Sequence, residues 1–226
     1  VPLFAYPDTP PPHLQAKDAA IYLVIALTIK GSTSKSGATQ TNTMINPVDF
    51  FSAHVFPELQ AAAANPGSTA VHPILIADAI KYVTVFRVQL PREAYAQLVP
   101  LFGSLLAHRQ PVVHTYAATA VERMLAVKDA APPGPAAVAP PRYGAEQLAP
   151  ALQQLLTGLF GALKLPGSSE NAYVMRAIMR VTVVAAEGMG PYARRARALA
   201  AHTAQHSTCT PLPPPPPPHT PPCCAP

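Results

Sequence analysis

Three prolines interrupt apolar patterns of helical period, and they recur at nearly constant intervals. Pro57, Pro100 and Pro150 each lie among aliphatic and aromatic residues, 43 and 50 residues apart, and Pro191 follows 41 residues later. A proline inside a helix removes a backbone hydrogen bond and kinks the helix. Because this unfavourable feature returns in the same setting, the chain is predicted to repeat one structural unit, of the length found in HEAT and armadillo arrays.

Apolar residues spaced three and four apart predict amphipathic helices through the middle of the chain. Seven helices are predicted, and a truncated eighth is expected over 190–202. Either Ser168 or Ser169 is expected to cap the seventh helix. The seven predicted helices cover about 17–30, 47–60, 74–89, 92–108, 111–127, 145–164 and 169–187.

The helix pattern and the repeat together predict an all-α fold. We expect an open, right-handed HEAT-repeat α-solenoid of about three helix pairs, with the proline-containing helices on its convex side. Helix 17–30 is then an orphan, packed on 47–60 and 74–89 as the second helix of an incomplete repeat. A closed helical bundle is the alternative. An array without capping repeats leaves apolar faces in water, expected here at Ile21, Val24, Val174 and Ile178.

The two ends differ in composition from the middle. Residues 1–16 are predicted to be a proline-rich irregular leader without helix, 17–200 the repeat array, and 201–226 a disordered tail rich in proline and cysteine. All three cysteines lie in that tail, so the folded part fits a reducing compartment. His202, His206 and Cys209 have a spacing that could hold a metal, although a solvated tail without fixed geometry is the favoured interpretation.

Charge and motifs exclude several classes of function. The net charge of +5 is small and does not predict nucleic-acid binding. The longest apolar run, Ala19 to Ile29, is too short to cross a bilayer, and the first residues do not resemble a signal peptide. Neither a phosphate-binding GxxxxGK[ST] loop nor an HExxH motif occurs. The sequence therefore predicts a protein that is not an enzyme and needs no cofactor or metal.

Several stretches of the sequence, collinear from about Lys17 to Ala186, resemble one known family. That family is the exportin-2 family, the importin-α exporters of the importin-β superfamily, and the chain resembles a central fragment of its long HEAT superhelix. The Pro-rich loop 131–141 and the leader depart from the family pattern. The matching stretches include Lys17–Val24, Ala77–Tyr82, Val112–Ala118, Leu165–Asn171 and Ala177–Arg180.

The resemblance implies a nuclear transport receptor. Members of the family bind the small GTPase Ran in its GTP form together with importin-α, pass nuclear pore proteins, and shuttle between nucleus and cytoplasm. From the small net charge and the short apolar runs, we expect no nucleic-acid partner and no membrane insertion. Two other functions stay open from the residues: a generic helical-repeat adaptor that binds peptides or proteins without a transport role, and a small all-α bundle whose tail supplies metal or enzymatic chemistry.

Candidate contact residues lie on the predicted second helices, which line the concave, partner-binding surface of a HEAT superhelix. Arginine and lysine side chains there can pair with carboxylates of a partner. The alternative is that these cations are solvated or pair locally, since Asp78 and Glu122 lie near them in sequence. The candidates are Lys81, Arg87, Arg123, Arg176 and Arg180.

Overall fold

The computed structural model describes residues 12–31, 33, 36–66, 71–133 and 138–188. A two-residue antiparallel ladder joins Ile29–Lys30 (β1) to Gln40–Thr41 (β2). A π-helical segment, Phe51–Val55, connects α2 to α3 without a break. The α-helices are α1 (Pro12–Thr28), α2 (Pro47–Phe50), α3 (Phe56–Ala64), α4 (Pro73–Phe86), α5 (Arg92–Leu105), α6 (Pro111–Leu125), α7 (Ala145–Ala162) and α8 (Ala172–Gly188).

The helices form two layers. The first layer runs from α3 to α5 to α7, and the second runs from α1 to α4 to α6 to α8. Across the layers, α3 pairs with α4, α5 with α6, and α7 with α8. Among the described residues α1 packs extensively on α4 alone and makes no extensive contact with α7 or α8. Each unit thus contacts its neighbours, as in a repeat array, and the predicted all-α array of three pairs plus an orphan helix is confirmed.

Four helices begin with a proline, namely α1, α2, α4 and α6. A helix leaves its first N–H groups unpaired, so the N–H that proline lacks is not missed at this position. This corrects one prediction: α1 starts at Pro12, inside the 1–16 leader that was expected to hold no helix. Proline breaks a helix interior but is compatible with a helix start.

The internal prolines are accommodated in two ways. Pro57 is the second residue of α3, which begins directly after the π-helical segment. It therefore does not interrupt a regular α-helix, contrary to the prediction. Pro100 and Pro150 do lie inside α5 and α7. The side chain of Gln154 crosses from α7 to α5, where its Nε2 donates to the Pro100 carbonyl at 3.2 Å and to Ser104 Oγ at 3.0 Å.

One glycine of α7 lets this helix approach α5 closely. A Cβ placed on Gly158 would lie 3.0 Å from the Gly103 carbonyl oxygen and 3.1 Å from Leu106 Cβ. On the same helix a Cβ on Gly161 would meet nothing within 4 Å. The α5–α7 crossing therefore requires a residue without a side chain at position 158 of α7, but not at position 161.

The core lies between the layers and continues to both ends of the array. Ile21 and Val174 are buried in it, Ile178 is almost as buried, and Val24 is partly buried, so the prediction that these four face water is wrong. A different set of apolar side chains is exposed on α1 and α8: Leu23, Leu27, Met175, Met179 and Val183.

Some predictions lie outside the described residues. They are the disordered proline-rich ends, the eighth helix over 190–202, the recurrence at Pro191, and the metal-binding spacing of the tail. The upper boundary of the array at residue 200 falls there as well.

Candidate partner-binding surface

Four of the five candidate cations lie together on the second layer. Lys81 is on α4, Arg123 is on α6, and Arg176 and Arg180 are on α8. Because α4, α6 and α8 pack side by side, these side chains belong to one surface of the layer. We call the outer side of α4, α6 and α8 the second-layer surface.

Arg87, the fifth candidate, is not on this surface. It follows the last residue of α4 and is 2% exposed. Its guanidinium donates to the Thr84 carbonyl. Burial lowers the pKa of Arg87, and the positive charge of Arg123 lowers it further. Arg87 therefore binds a carbonyl in the last turn of α4 and is not accessible to a partner, contrary to the prediction.

Glu122 connects two of the arginines. Arg123 Nε lies 3.5 Å from Glu122 Oε2, and Arg180 reaches Glu122 Oε1 from α8 at 3.8 Å. The local pairing considered as an alternative is thus present in the structure. Both arginine side chains stay more than a third exposed, although the Nε of Arg180 is buried without a hydrogen-bond partner. Exposed pairs of this kind contribute little stability.

A groove crosses the second-layer surface between α4, α6 and α8. It encloses about 310 Å³. Two exposed aromatic rings belong to it or its edge: Tyr116 is 39% exposed and Tyr173 is 50% exposed. Arg176 stacks over the Tyr173 ring at 4.6 Å, and Lys81 lies over the ring of Tyr22 from α1 at 4.9 Å. The lining residues are Lys81, Thr84, Val85, Thr115, Tyr116, Thr119 and Tyr173.

Asp78 lies one helical turn before Lys81 and has an unusual environment. Burial raises its pKa to about 7, helped by a hydrogen bond with Asp18 and the charge of Asp18, while Lys81 acts in the opposite direction. Its Oδ2 is buried without a hydrogen-bond partner. A carboxyl group in this setting keeps its proton to a higher pH than an exposed one, which weakens its attraction for Lys81.

A buried polar cluster joins two of the stretches that carry the family resemblance. His114 Nδ1 lies 2.9 Å from the His108 carbonyl oxygen, and its Nε2 lies 2.6 Å from Ser168 Oγ. Both side chains are fully buried, so no substrate reaches this His–Ser pair and its role is structural. Sequence reasoning missed it, because the two residues lie on different elements.

Asn171 completes the junction and caps α8. Its Oδ1 accepts from the backbone N–H of Tyr173 at 3.1 Å and of Val174 at 3.3 Å, and its Nδ2 donates to Thr115 Oγ1 at 2.7 Å. This corrects the prediction that Ser168 or Ser169 caps the helix. Asparagine is as good a cap as serine, and Ser168 is engaged by His114 instead.

A second unpredicted cluster anchors the long connection between α6 and α7. Arg142 donates through Nε to Asp129 Oδ1 at 2.7 Å and through Nη1 to the Val88 and Leu90 carbonyls at 2.8 and 3.1 Å. Arg92 also pairs with Asp129. The hydrogen bond from Arg142 is the main reason that the pKa of Asp129 is lowered. The connection is therefore fixed to the α4–α5 turn at its base.

Paired helices stacked in two layers, with exposed cations along one of them, define a helical-repeat scaffold of the HEAT class. Residues 3–121 match the family described as Cse1, and residues 122–207 match the family described as CAS/CSE protein, C-terminus. The chain belongs to the Cse1/CAS family of exportins.

Individual relatives agree with this assignment. The chain is 43% identical over 187 residues to exportin-2 of Bos taurus and 42% identical over 187 residues to exportin-2 of Homo sapiens. Each alignment covers 83% of this chain and 18% of the relative. The chain thus spans less than a fifth of the length of the curated relatives it matches.

A solved structure shares the fold. It is the exportin Cse1 in its cargo-free, cytoplasmic state, 31% identical, with a TM-score of 0.52 over 73% of this chain and 15% of that one. The HEAT-repeat solenoid predicted from the sequence is confirmed by this similarity. No helix in the parts of the chain that the structure describes is both long and apolar enough to cross a membrane.

Proposed function

We propose that this chain is a segment of a nuclear export receptor that, with Ran in its GTP form, carries importin-α from nucleus to cytoplasm. The observation that carries the proposal is the match to the Cse1/CAS family over residues 3–207. The exportin names of the relatives support a transport role rather than an enzymatic one. The receptor then shuttles through the pore by contacts with nuclear pore proteins, and any GTP hydrolysis belongs to the partner.

The second-layer surface is the proposed contact region for these partners. Lys81, Arg123, Arg176 and Arg180 lie there and are at least partly exposed. Carboxylates of a partner can form charge-assisted hydrogen bonds with these cations, and the positive field speeds encounter with an acidic surface. Since binding is shared over many repeats of a long receptor, this segment alone is expected to bind either partner weakly.

A chimera tests the proposal. Residues 12–188 replace the corresponding segment of human exportin-2, and assembly with GTP-locked Ran and importin-α is measured by titration. We expect assembly comparable to the parent, and weaker assembly for Arg123→Glu and Arg180→Glu. Lys164→Glu, an exposed lysine after α7, is the control and should change nothing.

Two outcomes separate the parts of the proposal. A folded chimera that fails to assemble would contradict the transport role. A chimera that assembles equally well with both arginine reversals would contradict the contact assignment and leave the scaffold role standing.

A generic helical-repeat adaptor without a transport role is the alternative function. The open groove on the second-layer surface supports the adaptor function, because a groove can hold a peptide from any partner. An adaptor of this kind would bind its peptides whether or not Ran and GTP are present, which the same titration measures.

A further inference from the structure

Three features of the groove point to one kind of occupant. Two aromatic rings and Lys81 line it, Arg176 stacks on one of those rings, and three helices of the second layer surround it. We propose that the groove binds a short protein segment in which a carboxylate lies next to an aliphatic side chain. The proposal rests on the proposed function only in that both place partner contacts on the second-layer surface.

The aromatic walls supply the apolar part of the site. Tyr116 from α6 and Tyr173 from α8 both line the groove, and both are substantially exposed. Tyrosine covers a large apolar area with few rotatable bonds and is enriched among the residues that dominate binding energies. An aliphatic side chain placed between these rings would remove apolar area from water on both sides.

The cations supply the polar part. Lys81 lines the groove, and Arg176 stacks on the Tyr173 ring that forms its edge. Among the described residues, no carboxylate oxygen lies within 4.0 Å of either cation, whereas Glu122 occupies Arg123 and Arg180. Both groups are also steadied by a ring, Lys81 by Tyr22 and Arg176 by Tyr173, which reduces the entropy lost when an anion binds.

Among the described residues, the acid nearest to Lys81 in sequence makes no ion pair with it. Asp78 is the carboxyl closest to it in sequence, and burial with the neighbouring Asp18 favours its neutral form. The threonine hydroxyls of the groove are engaged as well: Thr84 Oγ1 donates to the Ile80 carbonyl at 2.9 Å and Thr119 Oγ1 to the Thr115 carbonyl at 2.8 Å. Lys81 therefore offers its ammonium hydrogens to a carboxylate. Arg176 offers the guanidinium hydrogens that remain beside the bond from its Nε to the Ala172 carbonyl at 3.3 Å.

Peptide binding to the 226-residue chain tests the proposal. The probe is a short fluorescein-labelled peptide of alternating Glu and Leu, followed by fluorescence anisotropy. Peptides of the same length with Lys and Leu, or with Glu and Ser, replace one feature at a time. We expect binding of the Glu–Leu peptide, and binding about tenfold or more weaker for each of the other two.

Variants place that binding in the groove. Lys81→Glu and Arg176→Glu should each weaken binding of the Glu–Leu peptide severalfold and reduce its salt dependence. The double variant Tyr116→Ala, Tyr173→Ala should weaken it about tenfold or more. Arg109→Glu and Lys164→Glu are the matched controls, since both side chains are exposed and lie away from the groove. A thermal melt of each variant verifies that it is folded.

Three outcomes of these binding measurements would overturn the proposal. Binding that is equal in the groove variants and the controls would overturn the proposal, and so would equal binding of the Lys–Leu peptide. No binding of the Glu–Leu peptide by the folded wild type would also overturn it. This assay contains neither Ran nor importin-α. The proposal for the groove can therefore be contradicted while the chimera still assembles, and the chimera can fail to assemble while the groove still binds the peptide.

Discussion

His114 and Ser168 lie 54 residues apart in the chain and form a fully buried hydrogen bond, with Nε2 and Oγ separated by 2.6 Å. A backbone carbonyl only accepts, so the Nδ1 that faces the His108 carbonyl must carry a hydrogen. In the neutral ring Nε2 then accepts the hydroxyl hydrogen of Ser168. Together with the bond from Asn171 to Thr115, this bond fixes the loop before α8 to the start of α6.

Ser168→Ala should lower the free energy of unfolding by about 1–3 kcal/mol, because it leaves a buried imidazole nitrogen without its partner. Ser169→Ala is the control: its side chain is exposed, and the change should stay within about 0.5 kcal/mol. Urea denaturation followed by circular dichroism measures both. Equal effects of the two substitutions would show that the His114 contact does not stabilise the fold.

Gly158→Ala and Gly161→Ala should change stability in opposite directions. A methyl at Gly158 meets the Gly103 backbone and Leu106 Cβ, neither of which moves easily, so we expect a loss of about 1 kcal/mol or more. At Gly161 there is open space, and alanine should add about 0.5–1 kcal/mol through its helix propensity. Thermal melts compare them. A gain at Gly158 would mean that α5 and α7 are farther apart than in this structure.

Asp78→Asn should remove a pH dependence of stability. The folded-state pKa of about 7 lies above the ordinary value of 3.8, so between these values the folded chain holds more protons than the unfolded chain. The stability of the wild type therefore falls as the pH rises through this interval, by about 1–2 kcal/mol once solvent screening of a half-buried group is allowed for.

Asparagine resembles the protonated carboxyl, so the variant should lose this fall and be the more stable protein at pH 8. Asp49→Asn, at an exposed position of α2, should keep the wild-type slope. Denaturation midpoints across the pH range provide the measurement. Identical slopes in all three proteins would contradict the assignment of the titration to Asp78.

The exposed apolar side chains at the two ends of the second layer should make the chain self-associate. Leu27 on α1 is 64% exposed and Met179 on α8 is 65% exposed. Leu27→Gln and Met179→Gln should each reduce the binding of an apolar dye and the scattered light at high concentration, because less apolar area is left in water.

Ile21→Ala provides the contrast to these two substitutions. Ile21 is buried on the same helix as Leu27, so its replacement should cost about 2–5 kcal/mol of stability and should not reduce dye binding. Dye binding that is unchanged in both glutamine variants would place the adhesive surface elsewhere.

The positions of the helices can be predicted from the sequence, because buried apolar residues recur every three to four positions along each helix. The predictions for α5 and α7 have the correct first residue, since the apolar residues of each helix face one core. Helix ends are less predictable, because a terminal turn such as that at Pro12 has no apolar period of its own.

The candidate site was only partly predictable for a physical reason. An arginine is expected at the surface from its residue type alone. Nothing in the sequence indicates that Arg87 is buried and donates to the Thr84 carbonyl. Contacts between distant segments, such as Asn171 with Thr115 or Arg142 with Val88, are set by how the layers stack. The surface position of the cations on α6 and α8 could be predicted because they lie off the buried apolar face of each helix.

The anchored connection between α6 and α7 has an architectural consequence. Two backbone hydrogen bonds, from Asp129 N to the Pro140 carbonyl and from Arg142 N to the Val127 carbonyl, each 2.9 Å long, close its base. The helices on either side are held by that closure, whatever lies between Asp129 and Pro140. Changes in the length or sequence of the stretch between these two residues should therefore have little energetic cost during evolution. An experimenter can insert a fluorescent or affinity tag there while the register of the helical stack is preserved.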